Sequence, residues 1–76
     1  MTVELSYTIQ LRPEPEGGYT VLVPALPEIV TYGIDEKEAL RMAHEAIALA
    51  LEVRREDGEE IPPDVVPLTR TISIAA

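Results

Sequence analysis

A chain of 76 residues has room for one domain and a single core. It contains no cysteine and one histidine, His44, which excludes disulfides, thiol nucleophiles, cysteine-built zinc sites and multi-histidine metal centres. Fourteen acidic residues against six basic ones leave a net charge of −8, so phosphate backbones repel the chain and a basic protein attracts it.

The only aromatic residues are Tyr7, Tyr19 and Tyr32, so the core must be aliphatic. Small size without disulfide or metal predicts self-association, in which a second chain covers what one cannot. Apolar stretches fall short of the roughly 18 residues a membrane span needs, and no charged-then-apolar leader opens the chain. A cytoplasmic protein without membrane or direct nucleic-acid contacts is the expectation.

Residues 1–11 alternate: Val3, Leu5, Tyr7, Ile9 and Leu11 are apolar, and Thr2, Glu4, Ser6, Thr8 and Gln10 between them are polar. Period two predicts a strand with one buried face. Pro13, Pro15, Gly17 and Gly18 then mark a turn, and a second strand follows over 19–23. Pro24 and Pro27 bracket Ala25 and Leu26 as an irregular link, because proline cannot donate to a ladder. A third strand is predicted over 29–34.

Asp35 is a good N-cap, with Glu38 three residues on as the second half of a capping box and Ile34 and Ala39 placed for a hydrophobic staple. A helix is predicted from Glu36 to about Asp57. Arg54 and Arg55 favour its C-terminal dipole, and Gly58 supplies the C′ position. After the proline-bearing stretch 59–64, Leu68, Arg70, Ile72 and Ile74 alternate with Thr69, Thr71 and Ser73, the pattern of a fourth strand.

The order β-β-β-α-β predicts an antiparallel meander, a right-handed crossover through the helix, and a last strand beside the first. The result is an α+β two-layer domain with sheet order 3-2-1-4 and one long helix on one face. Taking Leu40 as zero, Ala43, Ile47, Ala50 and Leu51 fall within about 80° of it, as a stripe that covers the sheet. Met42, Leu49 and Val53 fall about 140–180° away. They could fold down onto neighbouring loops; the reading preferred here makes them an interface with another subunit or partner. Leu26, in the proline-bracketed link, and Tyr32 complete the expected contact residues, since tyrosine brings large area with a polar tip.

Chemistry is sparse. His44 borders the apolar stripe with no second histidine, cysteine or suitable serine to form a nucleophile–base pair. Glu4 with Asp57, Glu59, Glu60 and Asp64 could gather a divalent ion, but acids in a proline- and glycine-bearing loop are by default solvated. Gly17-Gly18 reads as a tight turn rather than a phosphate cradle. Arg70 reads as an edge charge that discourages aggregation. No catalytic residue, metal or cofactor is expected.

Gly17-Gly18-Tyr19-Thr20-Val21, Pro24-Ala25-Leu26-Pro27, Val30-Thr31-Tyr32-Gly33, Glu36 to Ala39 and the run Ala43, Ala46, Ile47 resemble the N-terminal domain of the HicB antitoxins. Leu51, Asp57-Gly58-Glu59 and Ile61-Pro62 extend the match over nearly the whole chain. The resemblance implies a partial ribonuclease-H-like sheet, a homodimer or tetramer, and a type II toxin–antitoxin role. In that role the chain neutralises HicA, a small basic mRNA-cleaving toxin, by covering its active site. Family members often carry Gly-Cys where this chain has Glu28-Ile29, and many continue into a DNA-binding helix-turn-helix or ribbon-helix-helix domain. A single HicB-like domain over 1–76, without that DNA-binding part, is the expectation. The alternative is an orphan homo-oligomeric binding module with a different protein or small-molecule partner; a metal-dependent nuclease using Glu4 and the loop acids ranks third.

Overall fold

The computed structural model describes residues 3–76. Its elements are β1 (Gln10–Pro13), β2 (Tyr19–Leu22), β3 (Val30–Gly33) and α1 (Glu36–Glu56). The strands form one antiparallel sheet in the order β1-β2-β3, with Leu11 opposite Val21 and Val21 opposite Thr31. The α+β class and the meander follow from the alternation and the turn residues.

Both connections are explained by local chemistry. At the β1–β2 turn, Gly17 donates to the Glu14 carbonyl, and Gly17 and Gly18 take φ of 106° and 77°, backbone that favours glycine. The link after β2 is two consecutive turns, Leu26 N–H to Val23 O at 2.9 Å and Ile29 N–H to Leu26 O at 3.0 Å. Pro24 and Pro27 each stand second in their turn, where a fixed φ suits them. Leu26 joins the two turns and is driven into the core, fully buried.

The helix starts as expected. Asp35 accepts from the Glu38 N–H at 2.8 Å, and Glu38 reaches back to the Ile34 N–H. It ends at the C-cap Asp57, where Gly58 (φ 72°) and Glu59 donate to the carbonyls of Arg55 and Arg54. The staple does not close, because Ile34 is left exposed.

The core is small. Val23, Leu26, Ile29 and Leu51 form one cluster, with Tyr7, Ile47 and Ile61 packed against it; Val21, Ala39 and Ala43 form a second, covered by Ile9, Leu11 and Tyr19. Small residues set the helix–sheet distance. A side-chain carbon on Gly33 would overlap the backbone N and Cα of Ala39, so only glycine permits this approach.

Three expectations are corrected. The first strand pairs only over Gln10–Pro13, because β2 stops at Leu22 and the following Pro24 removes a donor. Residues 3–9 therefore run on beyond the sheet, while Met1 and the expected polar position Thr2 lie outside the described residues. The fourth strand does not form within the chain, and residues 68–76 are exposed with no ladder. The buried helix stripe keeps the predicted Ala43, Ile47, Ala50 and Leu51 and adds Ala39, but Leu40, its predicted centre, is outside at 48% exposure.

Candidate partner-binding surface

The helix has two flanks beyond the sheet, each with a groove. At 100° per residue the buried positions Ala39, Ala43 and Leu51 define the inward direction. On the β3 side, Leu49 and Val53 stand 62% and 46% exposed beside Ala46, Ala50, Ile29 and Val30, in a groove of about 650 Å³. On the β1 side, His44, Ile47, Ala48 and Leu51 face Val3, Leu5 and Tyr7 across a groove of about 410 Å³.

Charges rim the β3-side groove. Arg54 donates from Nε and Nη2 to the Glu28 carboxylate at 2.9–3.2 Å, a forked pair joining the helix to the turn before β3. The Glu28 carboxyl lies below its ordinary range chiefly because its own backbone N–H donates to it, with Arg54 adding to the effect against some desolvation. Such an exposed pair contributes little net stability, and its effect is to fix the rim. Glu59 adds a second acid to the same rim.

The expected contact residues divide. Leu49 and Val53 share the β3-side flank, whereas Met42, one of the same predicted stripe, is half-buried. Tyr32 is partly exposed on β3 and donates its hydroxyl to the Gly17 carbonyl at 2.9 Å. Leu26 is in the core and has no side-chain surface to present, because the double proline turn points it inward. Sequence reading placed Leu40 at the centre of the covered stripe and missed the groove beside β1. His44 is exposed on that flank.

The loop acids do not converge. Among the described residues no group of three His, Cys, Asp or Glu side chains could hold a metal ion. Asp64 is engaged elsewhere: its Oδ1 accepts from the Thr8 N–H and its Oδ2 from the Thr8 hydroxyl, both at 2.8 Å. With Tyr7 donating its hydroxyl to the Pro62 carbonyl, this forms a clasp that ties the segment after the helix to the segment before β1. The Thr8 backbone N–H, then its hydroxyl, hold the Asp64 carboxyl below the usual aspartate range. A lowered folded-state value means the clasp is at full strength above the ordinary value, about 4, and is lost as pH falls through the lowered one. The Thr8 amide, followed by NMR, is expected to stay protected to pH 4 and lose protection below it. Asp64→Asn should expose the amide already at pH 7; a Thr8 amide indifferent to both would contradict the clasp.

The described residues thus present two aliphatic grooves rimmed by charge on a strongly acidic chain. The chain is 45% identical over 58 residues to Antitoxin HicB 1 of Photorhabdus laumondii, covering 76% of this chain and 37% of that protein. It is 40% identical over 58 residues to Antitoxin HicB of Escherichia coli K12, covering 76% and 42%. Over 60 residues it is 40% identical to UPF0150 protein Ta0767 of Thermoplasma acidophilum, here covering 79% of this chain and 87% of the relative. No family model matches the chain. It belongs to the HicB-like antitoxin family and spans less than half the length of the HicB antitoxins it matches. Among the described residues no helix is long and apolar enough to cross a membrane.

Proposed function

We propose that this chain is an antitoxin of the cytoplasm that binds a small basic HicA-type toxin and blocks its RNA cleavage by covering the active site, without catalysis of its own. The observation that carries the reading is identity of 40–45% over 58 residues, 76% of this chain, to proteins named as HicB antitoxins. The charge of −8 supports it, since an acidic chain meets a basic toxin with favourable steering. So does the β3-side flank, where Leu49 and Val53 offer aliphatic area and Glu28 and Glu59 offer charges for a basic rim. Tyr32, on the adjoining strand, is assigned to the same contact. The experiment is inhibition of RNA cleavage by a purified HicA-type toxin.

A second reading has its own support. The relative that the chain covers almost end to end, Ta0767, carries only the UPF0150 name. On that reading the chain is a homo-oligomeric binding module for another protein or small ligand, and a HicA-type toxin cleaves RNA unhindered in its presence.

A further inference from the structure

Two segments with strand-like patterning join no ladder among the described residues. Residues 3–9 alternate apolar and polar beyond the end of β2, and residues 68–74 do so after the helix except at Arg70, which shares a face with Leu68, Ile72 and Ile74. Leu68, Ile72 and Ile74 are 78–79% exposed, and among the described residues no hydrogen bond joins 68–76 to the rest of the chain. Beside residues 3–7 lies the open groove under the helix, and Leu40 is uncovered on the same flank. At 100° per residue, the groove-lining His44, Ile47, Ala48, Leu51 and Arg55 lie from about −20° to 80° around Leu40. A strand beside β1 would cover all of them.

The chain's own tail is badly placed to be that strand. Asp64 is clasped to Thr8, so a tail running parallel to β1 from there starts past residues 3–7. Pro67 then sits against Gln10, Leu22 and Pro24, which do not line the groove, and the tail leaves the domain. The longest axis reaches 53 Å against 26 Å and 21 Å for the others.

We propose that residues 68–74 pair with residues 3–7 of a second copy, short of the Thr8–Asp64 clasp, and that the second copy returns its own strand in exchange. The fourth strand of the 3-2-1-4 order is then supplied in trans. Leu68, Ile72 and Ile74 fill the partner's groove between residues 3–7 and the helix and cover Leu40. The exchange is isologous, so one twofold axis satisfies two strand edges and two grooves at once. It leaves the β3-side flank free, and it stands whether or not a toxin is the partner. A third chain or a foreign strand would have to match the same alternation; a second copy does so by construction.

The absence of cysteine makes the test clean. Two differently tagged full-length chains, one carrying Leu5→Cys and the other Leu68→Cys, Ile72→Cys or Ile74→Cys in turn, are co-expressed and oxidised. A disulfide between unlike tags is expected for at least one pairing, and light scattering on the wild type should give twice the 8.4 kDa chain mass or a multiple of that dimer. Ile72→Lys with Ile74→Lys, at exposed positions that leave the helix signal in circular dichroism intact, should halve the dimer mass. Wild type at the monomer mass, no cross-chain disulfide from any pairing, or an unchanged mass in the double lysine variant would each overturn the proposal.

Discussion

Leu26→Ala is expected to remove most of the domain's stability. The side chain is fully buried where the two proline turns meet, packed with Val23, Ile29 and Leu51. Leucine-to-alanine changes at such sites cost about 2–5 kcal/mol, and the turns around Leu26 leave little freedom for the site to collapse. A chain of this size holds about 5–10 kcal/mol in all. Urea unfolding followed by circular dichroism, at one fixed protein concentration, should show a large fall in midpoint with little change in slope. In thermal melts the drop should be about 15 °C or more. A loss below about 1 kcal/mol would mean that the core is not centred on this residue.

Leu49→Glu combined with Val53→Glu is expected to weaken the toxin complex about 100-fold while leaving the fold alone. Both side chains are exposed on the β3-side flank, so the free domain loses little. Two opposing effects act on the complex. Two added negative charges attract a basic toxin slightly more from a distance, an effect that salt screens. At the contact, two carboxylates replace aliphatic groups that become buried, and their desolvation dominates. A 100-fold loss is about 2.7 kcal/mol, a modest demand for two central contacts. The loss should appear in the dissociation rate, with association unchanged or marginally faster. Affinity within threefold of wild type would remove this flank from the interface. The dimer should persist in the variant, because the strand exchange uses the opposite flank.

What the sequence made legible was local. The second and third strands, the glycine turn, the capped helix and its Gly58 terminus are each written in residues a few positions apart, and all are present, whereas β1 runs into Arg12 and Pro13, which read as turn. The family was legible for the same reason, through motifs in fixed order. What failed depended on distance. The alternation at 3–9 and 68–74 reads as strand, but neither segment is one here, because a strand exists only where an edge accepts it, and within one chain Pro24 and the Asp64 clasp withhold that edge. Leu26 was misplaced because a leucine between prolines looks exposed until both turns are seen to point it inward. Leu40 illustrates the converse: the predicted stripe fitted a four-stranded sheet, and the residue is bare where the fourth strand is missing.

The most direct test of the antitoxin reading is a titration. A purified HicA-type toxin is given a single-stranded RNA substrate and increasing amounts of this chain, at physiological salt. Cleavage should fall to background near one chain per toxin, and the Leu49→Glu, Val53→Glu variant should require a large excess. Undiminished cleavage at tenfold excess of folded wild-type chain would contradict the account.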